Sequence, residues 1–124
     1  MIKGIGVDII EVQRIQKLID KGQIALDLVF TINEQVYCKK NGIQSYAGRY
    51  AAKEAFLKAL GTGWIEDLNY SDIEILNDDK GKPYIRLYNS TKNKFDNIAN
   101  MIHLSISHIK EIATAYVIIE QISE

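Results

Sequence analysis

Arg49-Tyr50-Ala51-Ala52-Lys53-Glu54-Ala55-Phe56-Leu57-Lys58-Ala59-Leu60-Gly61-Thr62-Gly63 is the stretch on which the reading of this chain turns. Alanine, leucine, lysine, glutamate and arginine are strong helix formers, so the run predicts a helix. Gly61 and Gly63 suit its C-terminus and the turn that follows. Most positions are small or apolar, which predicts burial on several sides. Four charges remain: Arg49, Lys53, Glu54 and Lys58. A charge on a buried helix is costly unless it is paired or faces a ligand or metal. Arg49 and Lys53 are four residues apart, as are Glu54 and Lys58, so each pair shares one side. Lys53 and Glu54 point about 100° apart. Such charges are either helical contacts on a solvated edge or parts of a site. The sparse polar content and the Gly-Thr-Gly tail lower the weight of the first.

Before this helix, Ile2 to Asp8 reads as a strand with Gly4 and Gly6 inside it, a mark of close backbone approach. Asp8 at its end either caps the next helix or binds a cation. Ile10 to Lys21 is an amphipathic helix with Val12, Ile15, Leu18 and Ile19 as its apolar stripe. Arg14, Lys17 and Lys21 form a basic ridge, either a solvated face or a dock for an acidic partner. Ile24 to Phe30 is a short apolar segment. Thr31 and Glu34 have capping-box spacing for a helix that runs to Lys40. Asn41-Gly42 breaks it, and Ser45 is positioned to cap the central helix over Tyr46 to Leu60.

After the central helix, Trp64 to Ser71 reads as a loop. Ile73–Leu76 and Tyr84–Tyr88 alternate and flank a turn-rich run, Asn77 to Pro83, which predicts a hairpin. Ser90 to Ala99 is a polar helix. Ile102–Ile106 and Ile112–Ile119 form a second hairpin around His108 to Glu111. His108 is either structural or a binding residue. One strand, helices, then strands around one long helix predict an α+β fold with a largely antiparallel sheet.

The 124 residues, 47% of them hydrophobic and 25% charged, fit one domain, 1–124, with a real core. A net charge of −1 excludes an overall basic field for nucleic acid, so anion binding must come from local clusters. Cys38 is the only cysteine, which rules out an intrachain disulfide. Without Cys/His partners for zinc, it reads as structural, and the protein as cytoplasmic. No apolar run approaches the ~18 residues of a membrane span, and the N-terminus has no signal-peptide pattern.

Four stretches, in order, resemble one family: Gly4-Ile5-Gly6-Val7-Asp8-Ile9, the Arg49–Gly63 run, Gly81-Lys82-Pro83, and Leu104-Ser105-Ile106-Ser107-His108. They are similar to bacterial holo-acyl-carrier-protein synthases, the small 4′-phosphopantetheinyl transferases of fatty acid synthesis. Arg14 and Glu34 also match the family pattern, whereas Tyr37 to Ser45 departs from it. The resemblance implies transfer of the 4′-phosphopantetheine arm of coenzyme A to a serine of apo-acyl carrier protein. Adenosine 3′,5′-bisphosphate leaves. It further implies Mg²⁺ and a homotrimer with active sites between subunits.

By the same resemblance, Asp8 and Glu54 are the metal carboxylates and Lys58 a phosphate-contacting lysine, making these three the catalytic set. Mg²⁺ commonly takes one or two carboxylates plus substrate phosphates, which suits this pair. Arg49, Lys53, Lys58, Gly61, Gly63, Lys82, Pro83 and His108 would shape the coenzyme A site. Glu54 or a metal-bound water would take the serine proton. Arg14, Lys17 and Lys21 would meet the acidic carrier. Two other classes are weighed against transfer. A pure binding module does not require two placed carboxylates. A Mg²⁺-dependent phosphohydrolase would leave the basic ridge without purpose.

The strand Ile112 to Ile119 has almost no polar positions, and Ile102 to Ile106 is nearly as apolar. A half-exposed antiparallel strand should alternate. Both faces are therefore expected to be covered, one by a partner subunit. Ala115 and Val117 are expected on that interface. Asp8 and the central helix are expected to come from different subunits or to meet at their junction.

Overall fold

The computed structural model describes residues 1–61, 68–99 and 101–121. Strand β1 (Ile2–Glu11) leads into helices α1 (Val12–Asp20), α2 (Gln23–Val29), α3 (Ile32–Asn41) and α4 (Ile43–Leu60). A 3₁₀ turn, Tyr70–Asp72, opens the hairpin of β2 (Ile73–Asn77) and β3 (Pro83–Leu87). Helix α5 (Asn89–Ala99) and the hairpin of β4 (Ile102–His108) and β5 (Ile112–Glu120) complete the α+β fold. Every strand pairing is antiparallel, in two sheets ordered β1-β5-β4 and β2-β3.

Three boundaries differ from the sequence reading. Pairing with β5 continues to Glu11 opposite Ile112, so β1 is longer and Asp8 lies within it. The Ile24–Phe30 segment is helical. Helix α4 starts at Ile43 from Gly42, whose φ of 97° suits glycine, and Ser45 does not cap it. The Thr31–Glu34 capping box forms in both directions.

Helix α4 lies across the three-stranded sheet, with Ala51, Ala52, Ala55 and Phe56 fully buried. The contact with β1 is backbone on backbone. A Cβ on Gly4 would lie 1.8 Å from the Ala59 carbonyl oxygen, and one on Gly6 would lie 2.0 Å from that of Ala55. Two strand residues advance about 6.6 Å and one helical turn about 5.4 Å, so strand and helix stay nearly in step. Asp8, two residues beyond Gly6, shares its face and arrives at the next helical turn.

The other face of this sheet is open, apolar over β1 and β5 and polar on β4, where Ser105 pairs with Tyr116. Ile5, Val7 and Ile9 are 55%, 51% and 67% exposed, and Tyr116 is 43% exposed. Val7 pairs with Tyr116, and Ile5 with Ile118. The register corrects one expectation: Ala115 and Val117 are buried on the inner face of β5. Tyr116 and its β1 neighbours carry the outer surface.

Lys53 is the polar hub of the interior. It is fully buried and ion-paired to the equally buried Glu34 at 2.8 Å. Its Nζ also donates to the carbonyls of Val29 and Tyr70, the latter at 2.9 Å. Glu34 accepts the Ile75 amide through its other oxygen, at 2.9 Å. One ion pair thus ties α2, α3, α4, the 3₁₀ turn and β2. Burial pulls the Lys53 pKa below the ordinary lysine value, against the charge of Glu34. Cys38 is also fully buried, and burial pushes its thiol up to about 12. It is a core residue with no thiolate character at neutral pH.

Two substitutions test this packing by urea unfolding. Lys53→Met strands the Glu34 carboxylate in the interior and should lower stability by about 3–5 kcal/mol. Gly6→Ala forces β1 away from α4 and should cost about 3 kcal/mol, the upper range for an overpacked core. A near-neutral Gly6→Ala would contradict the close contact.

Candidate active site

The sequence-selected residues fall into two clusters on different sides of α4. Arg49 and Glu54 are five positions apart, which turns them about 140° from one another.

The first cluster gathers Asp8 from β1 with Glu54 and Lys58 from α4. Lys58 Nζ donates to Asp8 Oδ1 and to the Val7 carbonyl, each at 3.1 Å. The Asp8 side chain is 16% exposed and that of Lys58 is 56% exposed. The pair thus sits at the mouth of the cluster, with the lysine its more exposed member. Asp8 is not a helix cap, because α1 begins after Glu11. Asp8 and α4 meet within one chain. Glu54 accepts the Tyr70 hydroxyl at 2.6 Å. The Tyr50 and Tyr70 rings lie 5.8 Å apart beside it. Burial first, then Glu54, holds both phenols above the usual tyrosine range, so they remain protonated donors.

Among the described residues, no three His, Cys, Asp or Glu side chains converge as a complete protein cage for a metal. Asp8 and Glu54 both act on the Tyr50 and Tyr70 phenols, which puts two carboxylates beside one pair of rings, an oxygen donor set with neither nitrogen nor sulfur. That donor set fits Mg²⁺, which keeps water and substrate phosphate in its remaining positions.

The second cluster surrounds a cavity of about 260 Å³ lined by Tyr37, Gln44, Arg49, Asn77, Pro83 and His108, among others. The Arg49 guanidinium lies 4.1 Å from the centre of the Tyr37 ring and donates to Asn77 Oδ1 at 2.6 Å. Its Nε is buried with no hydrogen-bond partner among the described residues. A buried guanidinium with a spare donor on a cavity is suited to an anion. Lys82 is exposed, in the turn just before Pro83. Gly81 has a φ of 87°, a left-handed turn that favours glycine.

Lys53 belongs to neither cluster. Its three ammonium bonds are spent on Val29, Glu34 and Tyr70 in the interior. The expectation that it contacts coenzyme A is therefore corrected. Gly61 ends α4 with a φ of 73°, and Gly63 lies outside the described residues. Arg14, Lys17 and Lys21 are exposed on or just after α1. Arg14 also lines a smaller cavity with Ile10, Ile15, Leu18, Val29 and Tyr50, of about 170 Å³. The ridge thus adjoins Tyr50, next to Glu54. Tyr37, Gln44 and Asn77 in the cavity, and Tyr50 and Tyr70 beside Glu54, carried no sequence signal beyond their hydrogen-bonding groups.

Comparison with known proteins gives a consistent result. A family model described as the 4′-phosphopantetheinyl transferase superfamily matches residues 4–117. A holo-(acyl-carrier-protein) synthase of Alkaliphilus oremlandii is 50% identical, with 95% of this chain and 98% of that one covered. One from Halothermothrix orenii is 46% identical, with 98% and 99% covered. The crystal structure of a Bacillus anthracis holo-(acyl-carrier-protein) synthase in complex with CoA (3′,5′-ADP) superposes with a TM-score of 0.79. It shares 42% identity, with 98% of both chains covered. The Helicobacter pylori synthase in complex with coenzyme A has a TM-score of 0.79 and 32% identity, covering 94% and 99%. With its fold, its matched length and these identities, the chain belongs to the 4′-phosphopantetheinyl transferase superfamily.

Proposed function

We propose that this chain, as one domain over residues 1–124, is a holo-acyl-carrier-protein synthase of fatty acid synthesis. It transfers the 4′-phosphopantetheine group of coenzyme A to a serine of apo-acyl carrier protein and releases adenosine 3′,5′-bisphosphate. The observation that carries this reading is the Lys58 ammonium, which donates to Asp8 of β1 at 3.1 Å one helical turn from Glu54. With Mg²⁺ on the two carboxylates the cluster would be net positive, which complements a pyrophosphate. The serine hydroxyl gives its proton up, with Glu54 as the acceptor this chain supplies, and its oxygen bonds to the phosphorus that bears the pantetheine arm. That phosphorus releases its bridging oxygen to the adenosine phosphate.

Asp8 and Glu54 would hold the Mg²⁺. When bound, the metal neutralises and orients pyrophosphate oxygens. Lys58 follows the charge that builds on the leaving phosphate, so its benefit is greatest in the transition state. Arg49 and His108 hold the nucleotide's phosphates, with Lys82 at the edge and Gly81-Pro83 shaping the wall. Gly61, left-handed at the end of α4, lets backbone approach the pyrophosphate. The basic ridge of Arg14, Lys17 and Lys21 receives the acidic carrier beside the Glu54 end of the site. Among the described residues no helix is long and apolar enough to cross a membrane.

Coenzyme A cannot easily use both clusters of one chain, because Arg49 and Glu54 point about 140° apart. The open apolar face of β1 and β5 supplies the remedy. In a homotrimer, neighbouring copies cover Ile5, Val7, Ile9 and Tyr116, and one copy's Arg49 cluster faces another's Asp8.

Three measurements check these points. Incubation with coenzyme A, Mg²⁺ and apo-acyl carrier protein should add one phosphopantetheine mass to the carrier. Coenzyme A cleavage without that adduct would point to a hydrolase, and neither change to a binding module. Lys17→Glu with Lys21→Glu should raise the carrier KM on the order of tenfold, with little change in the coenzyme A KM. An equal loss toward both substrates would make the ridge structural. Sedimentation equilibrium should give a trimer that Val7→Glu dissociates, because the charge would be buried in the interface. A fully active monomer at nanomolar concentration would refute the shared site.

A further inference from the structure

Glu54 has a support that the reaction itself does not require. Tyr70 spans from the interior to the site. At one end its backbone carbonyl accepts from the buried Lys53 Nζ at 2.9 Å. Lys53 in turn is fixed by Glu34 at 2.8 Å, both side chains fully buried. At the other end the Tyr70 hydroxyl donates to Glu54 Oε1 at 2.6 Å. Between the ends, its ring packs on Tyr50, centroids 5.8 Å apart. Lys53 and Glu54 are adjacent on α4, yet one is sealed inside and the other opens to the site. Tyr70 reconnects them around the outside of the helix.

A glutamate has three side-chain torsions, and one hydrogen bond from a fixed donor removes much of that freedom. It also occupies one oxygen of Glu54 on its tyrosine side. Carboxylates that bind metals are commonly aimed by such a partner, whose loss costs about 10–100-fold in metal affinity or activity. We propose that Tyr70 is a positioning residue that aims the Glu54 carboxylate at the metal, with the buried Lys53–Glu34 pair as its anchor. The inference rests on the reading of Asp8 and Glu54 as the metal carboxylates. Tyr70 touches neither coenzyme A nor carrier in this role. Its effect passes through Glu54.

The test is Tyr70→Phe in the full chain, which keeps the ring on Tyr50 and the carbonyl on Lys53. Mn²⁺ serves as the probe, with free metal counted by electron paramagnetic resonance in the presence of coenzyme A. Tyr70→Phe should weaken Mn²⁺ binding about tenfold. The Mg²⁺ concentration for half-maximal transfer should rise by a similar factor, with the carrier KM unchanged. A purely structural hydroxyl would lower the melting temperature without moving the Mn²⁺ affinity, and that result would overturn the proposal. Asp8→Asn is the control. If it weakens Mn²⁺ binding while Tyr70→Phe binds as wild type does, the inference fails and the metal reading stands. A wild type that binds no Mn²⁺ overturns both.

Discussion

A Cβ on Gly6 would sit 2.0 Å from the Ala55 carbonyl oxygen, so β1 and α4 meet with no side chain between them. Most of the site depends on that contact. A strand held one side-chain layer further out would carry Asp8 beyond the reach of Lys58, now 3.1 Å away. The alanines of α4 supply the other half of the fit: Ala51, Ala55 and Ala59 are small enough to let the strand down. Of the charged residues of α4, Lys53 is sealed in the interior, and the others lie on two flanks. One flank opens on Asp8, and the other opens on the cavity with His108 and Pro83.

The interior ion pair answers a different problem. Two short helices, a 3₁₀ turn and a hairpin pack on α4 with unpaired backbone groups at their ends. Lys53 and Glu34 gather those groups: two carbonyls on the ammonium, and the amides of Thr31 and Ile75 on the carboxylate. A buried pair of this kind is costly to desolvate, and its worth lies in being fully satisfied. Here it also sets where Tyr70 stands, and so bears on Glu54 one residue away in sequence and on the opposite side of the helix wall.

Much of this was legible in the chain. The central helix, read as Tyr46 to Leu60 and found as Ile43–Leu60, the Thr31–Glu34 capping box and both hairpins follow from local chemistry that tertiary packing did not override. That Glu54 and Lys58 share one side follows from helical spacing alone, whereas Arg49 and Lys53, also four apart, part in the fold, one at the cavity and the other in the interior. What spacing could not tell is which side is interior. Helix α4 is small and apolar nearly all round, so Lys53 looked as available to a ligand as Lys58. Strand β5 failed for the same reason. With almost no polar positions between Ile112 and Ile119, parity was undetermined, and Ala115 and Val117 fell on the inner face. Tyr37, Tyr50 and Tyr70 were illegible because an aromatic hydroxyl announces its partner only when distant segments meet.

The β1–α4 contact brings Asp8 to α4, where we propose that Asp8 and Glu54 hold a divalent metal. The most direct measurement is a crystal structure with coenzyme A and Mn²⁺, using anomalous scattering to locate the metal. A peak bridging the Asp8 and Glu54 carboxylates and the pyrophosphate, with Arg49 of a neighbouring copy on the nucleotide, is the expected result. A peak away from these carboxylates, or coenzyme A bound wholly within one chain, would contradict it.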